Sequence, residues 1–252
     1  MLYLCMWVFS GSCKTEQAKV TGGEEMGLFD KAMSRADDSL NTTGQGGAGA
    51  NGPDPAWTQD RTIVLSGAPE NLEELKAAVD VTDPGSVAAY WVYSVFCLTA
   101  DYDIGMNMMK YLFADLEPYG RGFTEGGMSG KAGWDTYFNE RLKDDDYRWL
   151  PRAYFAGAVA SNGFHPEMPL TVNLHYNKPN TESINEQCLK QLGRLCVVYY
   201  VESNAGGNKV NLELVRFDGS DRFYVTKGTA STGLFYDQRS ALTAEARAKL
   251  WD

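Results

Sequence analysis

The spacing of apolar residues changes from helical to alternating along the chain. Apolar residues recur at helical intervals in residues 69–79, 86–99 and 104–114. Residues 86–99 are apolar on almost every side, which predicts a buried central helix. Farther along, residues 170–176 and 209–217 alternate between apolar and polar side chains, the pattern of strands that bury one face.

The clearest local prediction is an antiparallel hairpin toward the C-terminal end. The second alternating run is followed by the turn signal Asp218-Gly219, and residues 222–226 return as another β-prone run. Residues 61–66 and 195–201 are predicted to form further strands, because they are rich in β-branched and aromatic residues.

Most of the predicted helices precede most of the strands. Further helices are predicted at residues 134–143 and 243–251. Separation of helices from strands along a chain is typical of α+β folds rather than of alternating α/β folds. We therefore expect a single α+β domain in which N-terminal helices pack on a C-terminal antiparallel sheet.

The domain organisation follows from local composition. Residues 41–56 are rich in Gly, Asn and Pro and carry no apolar side chain larger than alanine, which predicts a flexible linker. Residues 26–56 as a whole are assigned to a tail and this linker, and the folded domain is expected over residues 57–252. Residues 1–25 are interpreted as an untranslated leader or a degenerate signal.

Two interpretations of the N-terminal residues stay open. The codons for Gly22-Gly23-Glu24-Glu25 can form a purine-rich ribosome-binding site just before Met26. This favours Met26 as the start of a cytoplasmic protein. Alternatively, Met1 begins a short apolar signal that ends at Cys13, which predicts a membrane-anchored surface lipoprotein.

Composition and charge limit the classes of function that this chain can have. The chain of 252 residues is 44% hydrophobic, enough for a sizeable core. Its formal net charge of −10 argues against nucleic-acid binding, which draws affinity from clustered Lys and Arg. Its five cysteines are scattered and odd in number, as expected in a reducing compartment. The longest internal apolar run, residues 87–100, is shorter than the ~20 residues of a transmembrane helix.

A glycine-rich stretch at residues 123–134 holds a Gly130-Lys131 pair and resembles a phosphate-binding loop. Such a loop requires a glycine about five residues before that pair and Ser or Thr after the lysine. Glu125 and Ala132 occupy those positions, so one adds negative charge and the other lacks a metal-binding oxygen. A helix is also expected before the loop, in place of the usual strand. We therefore predict no nucleotide cofactor.

The residues that commonly bind metals lack the spacing of a metal site. His165, His175, Cys188 and Cys196 do not form the close pairs of structural zinc sites. The consecutive acids at residues 144–146 are expected to form a solvated turn after a helix, because acids oppose the helix macrodipole at a C-terminus. No metal or other cofactor is therefore predicted.

The densest mixture of special residue types lies at residues 149–169, which we call the hinge because they join the helical and β-rich parts. Within the hinge, Arg152, Tyr154, Asn162 and His165 supply a cation, a phenol, an amide and a titratable ring. We predict that these side chains converge on a small polar or anionic ligand, or on a partner peptide. The alternative is structural: Arg152 pairs with the acids at residues 144–146 while Tyr154 and Phe155 fill the core.

The hinge also carries a family pattern. Residues 141–144 read RLKD and residues 151–158 read PRAYFAGA, and these motifs are followed by Asn162, Phe164, Pro166 and Pro169. In these residues the chain resembles an uncharacterised bacterial family, a domain of unknown function common in gut Firmicutes. The resemblance covers about residues 71–238. It implies a domain boundary but no reaction, because that family has no assigned activity.

Three functional hypotheses follow from these observations. The first is a non-catalytic binding or interaction module that works through the hinge residues. The second is a hydrolase or transferase in which His165 acts as acid or base with an acid from residues 135–140, and the third is the lipoprotein anchored at Cys13. An enzyme is expected to place His165 in a concave pocket, within hydrogen-bond reach of a carboxylate or a nucleophile.

Overall fold

Helices and a sheet confirm the predicted α+β class, with helices on the N-terminal side and most strands C-terminal. The computed structural model describes residues 53–116, 123–125, 138, 140–192, 195–217, 219–226, 234–235 and 238–251, all within the unit Asn51–Asp252. The predictions for residues 1–52 lie outside the described residues, as do residues 134–137 and 139 of the helix predicted at residues 134–143.

One sheet contains the strands β1 (Arg61–Val64), β2 (Phe113–Leu116), β3 (Phe123–Glu125), β4 (Thr171–Tyr176), β5 (Leu195–Glu202), β6 (Lys209–Arg216) and β7 (Phe223–Thr226). Their order is β1-β4-β5-β6-β7-β2-β3. Neighbouring strands are antiparallel except β2 and β7, which run parallel. The predicted hairpin is confirmed as β6 and β7, and Gly219 in their connection has a positive φ of 73°, which glycine tolerates best.

The first helices begin at capping residues present in the sequence. Asn71, Asp83 and Asp101 accept hydrogen bonds from first-turn backbone N–H groups through their side chains. The described helices include α1 (Leu72–Ala78), α2 (Pro84–Cys97), α3 (Tyr102–Leu112), α4 (Asp145–Arg148), α5 (Lys178–Leu192) and α6 (Ala244–Ala248). Short 3₁₀ helices occur at Pro55–Trp57, Leu150–Tyr154, Ala160–Asn162 and Arg239–Ala241.

Helix α2 is the buried central helix that the apolar pattern predicts. It contacts β1, β4, β6 and β7, so it lies across one face of the sheet. Its Trp91 and Val95 are fully buried in the same core as Leu174, Tyr199 and Leu212 of the strands. This inner face of the sheet holds the main core, where burial of apolar surface drives folding.

The opposite face of the sheet, the outer face, is mostly polar on β1, β4 and the end of β5, although Val64 of β1 is also exposed on it. Side chains alternate along a strand, so Thr62, Asn173 and His175 lie on the side away from the main core. Thr62 Oγ1 donates to Asn173 Oδ1 at 3.0 Å. Tyr200 and Glu202 continue this polar surface on β5, because His175 and Tyr200 face each other across the ladder.

Helix α5 takes the place of a neighbouring strand along part of β5. In the described ladder, β4 pairs with β5 only through its last two residues. Asn185 of α5 accepts from the N–H of Cys196 and donates to the Cys196 carbonyl, both at 2.7 Å. Thr181 Oγ1 accepts from the N–H of Val198 at 3.0 Å. Helix side chains thus satisfy strand groups that are buried and would otherwise lose hydrogen bonds.

A second, smaller core joins the hinge to the C-terminal residues. Trp149 and Phe164 of the hinge stack with their ring centres 4.4 Å apart. Leu242, Ala246 and Leu250 belong to the same buried cluster. Helix α6 therefore packs on the hinge, and it contacts the 3₁₀ helix Ala160–Asn162.

Some local predictions need correction. Residues 113–114, predicted as the end of a helix, belong to β2. Strand β3 starts the glycine-rich stretch, where a helix was expected to precede it. The argument against a phosphate-binding loop therefore rests on Glu125 and Ala132 alone. The acids at residues 144–146 begin a helix, because Asp144 caps α4 and the other two lie in its first turn, where the macrodipole favours negative charge.

Candidate functional site

Arg152 lies in the 3₁₀ helix Leu150–Tyr154 and faces the C-terminal residues. Its Nη1 donates to the carbonyl of Leu250 at 2.9 Å, and its guanidinium carbon lies 5.1 Å from the centre of the Trp251 ring. Its Nε is buried without a hydrogen-bond partner among the described residues. Burial lowers the pKa of Arg152, and the charge of Arg148 lowers it further. The interpretation that Arg152 pairs with the acid run is wrong, because it bonds to this backbone carbonyl instead.

Asn162 and His165 hold the hinge in its own fold. Asn162 Nδ2 donates to the carbonyls of Gly157 and His165 at 2.8 and 3.0 Å, and its Oδ1 accepts from the N–H of Val159 at 3.0 Å. His165 Nε2 lies 2.7 Å from the carbonyl oxygen of Lys249. A carbonyl oxygen only accepts hydrogen bonds, so this Nε2 carries a proton. These hydrogen bonds of both side chains are made to the backbone.

Tyr154 faces the connection between β5 and β6. Its side chain is 3% exposed, and its hydroxyl accepts from Asn208 Nδ2 at 2.8 Å. Gln238 Nε2 lies 3.4 Å from the same oxygen. Burial raises the pKa of Tyr154 to about 12, although these two hydrogen bonds act in the opposite direction. The four predicted site residues thus do not converge on one point.

A cleft opens beside the hinge at the polar end of the outer face. Its volume is about 230 Å³, and it is lined by hinge residues 154–156, by Asn173 and His175 of β4, and by residues 202–204 at the end of β5. We call it the hinge cleft. Of the four predicted site residues, Tyr154 lines the hinge cleft and the other three do not.

An oriented imidazole lines the hinge cleft. Asp60 Oδ2 lies 3.0 Å from Nδ1 of His175, and Asp60 Oδ1 accepts from the N–H of Tyr176 at 2.9 Å. The hydrogen bond with His175, followed by that from Tyr176, lowers the pKa of Asp60. A carboxylate only accepts hydrogen bonds, so Nδ1 of His175 carries a proton. Within the described part of the chain, Nε2 of His175 has no hydrogen-bond partner.

A carboxylate joins the imidazole in lining the cleft. The Glu202 side chain is 43% exposed, and its Oε2 lies 3.4 Å from Nζ of Lys209. Tyr200 stacks on His175 with 4.9 Å between ring centres, and Lys209 Nζ lies 4.9 Å from the centre of the Tyr200 ring. Strand register produces these contacts, since Glu202 and Lys209 are direct partners across the β5–β6 ladder.

Other chemistry is sparse in the described residues. They include no group of three or more His, Cys, Asp or Glu side chains that could hold a metal ion. Burial raises the pKa of the Cys97 thiol to about 11, so this thiol is a poor nucleophile near neutral pH. Among the helices described, none combines the length and the apolar character that crossing a bilayer requires.

Sequence reasoning missed the residues that give the hinge cleft its polar character. The alternating pattern at residues 170–176 did put Asn173 and His175 on one polar face, which was a usable signal. Asp60 and Glu202 carry no comparable signal. Asp60 precedes β1 and Glu202 is the last residue of β5, so neither lies within an alternating run. Only strand pairing brings Asp60 beside His175, which lies 115 positions away along the chain.

The described residues define an α+β domain with a polar cleft beside one sheet face, a class of architecture that serves binding proteins and enzymes alike. The chain belongs to the family DUF6935, a domain of unknown function, whose model matches residues 67–241. This membership confirms the resemblance to an uncharacterised family. The match includes the hinge, His175 and Glu202, whereas Asp60 and α6 lie outside it. No curated protein and no solved structure matches the chain.

Proposed function

We propose that this protein is a non-catalytic binding module that takes a small polar ligand in the hinge cleft. The observation that carries the proposal is that polar side chains lining the hinge cleft have hydrogen-bonding groups that no described residue uses. His175 Nε2 has no partner within the described residues, and Glu202 is held by one ion pair at 3.4 Å. Binding sites commonly combine a concavity with a few polar groups of this kind.

In this proposal the predicted hinge residues have different roles. Tyr154 forms part of the cleft wall, so it remains a candidate ligand contact. Arg152, Asn162 and His165 contribute indirectly and do not contact the ligand. Their hydrogen bonds fix the hinge backbone that carries residues 154–156. Arg152 does not line the hinge cleft, and its hydrogen bond to the Leu250 carbonyl holds the guanidinium on the opposite side of the hinge.

The alternative of a hydrolase or transferase with His165 as acid or base gains no support from the geometry. His165 Nε2 bonds to the backbone carbonyl of Lys249 at 2.7 Å, and His165 does not line the hinge cleft. Acid–base catalysis requires a group within hydrogen-bond reach of a bound substrate. We therefore favour binding over catalysis by this residue.

The compartment and partners belong to the same proposal. We place the protein in the cytoplasm of a bacterium, without nucleic-acid partners, on the basis of its scattered cysteines and net charge of −10. The surface lipoprotein anchored at Cys13 is the competing assignment. Metabolic labelling with palmitate distinguishes them: a label that disappears in the Cys13→Ala variant would establish the lipoprotein.

A thermal-shift screen against metabolites, nucleotides and metal ions tests the binding function. We expect a compound that raises the melting temperature of the wild-type protein and does so much less in Glu202→Gln, because a hydrogen bond to a charged group contributes about 1.5–3 kcal/mol. Glu182→Gln is the matched control, since Glu182 also pairs with a lysine, at 3.7 Å, but does not line the cleft. A compound that stabilises all three proteins equally, or no active compound at all, would contradict the proposal.

A further inference from the structure

The hydrogen-bonding roles of the side chains around the hinge cleft are set by their partners. Because His175 Nδ1 donates to Asp60, the neutral imidazole offers Nε2 as an acceptor. Asn204 Nδ2 donates to the carbonyl of Phe155 at 2.8 Å, which leaves its Oδ1 as a further acceptor. The Glu202 carboxylate is an acceptor with no donating capacity when it is ionised.

Donors stand beside these acceptors. Asn173 Oδ1 accepts from Thr62 Oγ1 at 3.0 Å, which leaves Nδ2 of Asn173 available as a donor. Lys209 is not one of the lining residues, but its Nζ lies 3.4 Å from the lining carboxylate of Glu202, and an ammonium group has three N–H bonds to donate. The cleft wall therefore presents both a donor and acceptors, with the Lys209 ammonium group beside it.

A hydroxyl group is the ligand group that complements such a mixture, because one hydroxyl both donates and accepts. A ligand ammonium group would satisfy Glu202 and His175, but it would be repelled by Lys209 and has nothing to accept from Asn173. A ligand carboxylate would satisfy Lys209 and Asn173, but it would be repelled by Glu202. Neither charged group matches both halves of the site.

We propose that the hinge cleft binds a neutral polyhydroxylated ligand about the size of one sugar ring. This inference rests on the proposed binding function and adds the chemical class of the ligand. The volume of about 230 Å³ supports the size, because it falls below the roughly 300–1,000 Å³ typical of sites for drug-sized molecules.

Histidine-observed NMR on the full-length chain provides a direct test, because the chain contains two histidines and they lie in different places. His175 lines the hinge cleft, whereas His165 bonds to Lys249 and does not line it. The probes are glucose, galactose, mannose and myo-inositol, with putrescine and succinate as charged counterparts. We expect at least one polyol to shift the His175 ring signals saturably while the His165 signals stay in place.

Variants link the shift to the proposed contacts. Asn173→Ala and Glu202→Gln should each raise the dissociation constant of the active polyol about tenfold, the effect of one lost hydrogen bond in a binding site. Glu182→Gln should leave that constant unchanged. An unchanged constant in both cleft variants would overturn the assignment of these contacts.

The outcomes separate this inference from the function on which it rests. If putrescine or succinate shifts the His175 signals and no polyol does, the ligand class is wrong while the binding site stands. If none of the probes shifts His175 and the thermal-shift screen finds no cleft-dependent compound, both fail. A polyol that shifts His165 and leaves His175 unchanged would move the site away from the hinge cleft.

Discussion

The two sides of the hinge carry similar residue types, but on one side they make structural hydrogen bonds and on the other they line a cleft. On the side of α6, Arg152 and His165 donate to the carbonyls of Leu250 and Lys249 at 2.9 and 2.7 Å. On the side of the hinge cleft, His175 and its neighbours keep hydrogen-bonding capacity that no described residue uses. The comparison teaches that residue types alone do not mark a site. Unused capacity in a concave place is the more informative signal.

Arg152 and His165 both contact the residues that follow helix α6. The last carbonyl groups of a helix lack intrahelical partners, so side-chain donors near its end supply hydrogen bonds there. Arg152 and His165 reach carbonyls just beyond the end of α6, and Lys249 Nζ returns a hydrogen bond to the carbonyl of Ser161 at 2.8 Å. The hinge and the C-terminal residues thus support each other.

The largest effect should come from the small core that joins the hinge to α6. Trp149→Ala should lower the free energy of unfolding by about 3–5 kcal/mol, because a fully buried ring that stacks on Phe164 leaves a cavity. Trp251→Ala is the matched control: its ring is 50% exposed, so its loss should cost less than about 1 kcal/mol. Urea denaturation measures both values, and similar losses in the two variants would refute a structural role for this side of the hinge.

A smaller effect is expected at Tyr154, where the two sides of the hinge meet. Tyr154→Phe should cost about 1–2 kcal/mol, because Asn208 loses its acceptor in a largely buried place. The pKa of Tyr154 is raised to about 12 from the ordinary 10.0, so its contribution to stability is present below about pH 10 and is lost as the pH rises toward 12. The difference in stability between wild type and Tyr154→Phe should therefore shrink over that range in denaturation experiments.

The two histidines offer the sharpest comparison between the sides. His165→Ala should lower the free energy of unfolding by about 0.5–1.5 kcal/mol through the loss of one hydrogen bond to the backbone, and it should leave ligand binding intact. His175→Ala should change stability by no more than about 0.5 kcal/mol, since its side chain is 36% exposed, and it should weaken ligand binding. Denaturation and thermal-shift assays on both variants test this, and the reverse pattern would contradict the division of roles.

The strands whose apolar residues alternate were predictable from the sequence, and α5 was not. Hydrophobic periodicity detects a helix through its apolar stripe, and α5 instead uses Thr181 and Asn185 on its buried side. These polar residues are buried because they bond to the backbone of β5. Strand β2 was missed because its first residues, Phe113 and Ala114, continue the apolar spacing of α3 without a break.

The candidate site was predicted only where it coincides with the hinge. Tyr154 was identified, because it lies in a stretch of unusual composition. Asp60, His175 and Glu202 come from three separate segments, and the strand order β1-β4-β5 brings them together. Long-range pairing depends on the whole sheet, so no local pattern around any of these residues encodes their proximity.

The smallest effect concerns the pair that orients the cleft imidazole. Hydrogen bonds lower the pKa of Asp60 from the ordinary 3.8. The ionised carboxylate therefore stabilises the folded protein at pH values above 3.8, and this contribution is lost as the pH falls through the lowered pKa. Exposure of both partners keeps the effect below about 0.5 kcal/mol. Asp60→Asn should therefore be less stable than wild type near pH 6, and the difference should narrow toward about pH 3. A difference that is independent of pH would show that the ionised carboxylate of Asp60 does not hold His175 in place.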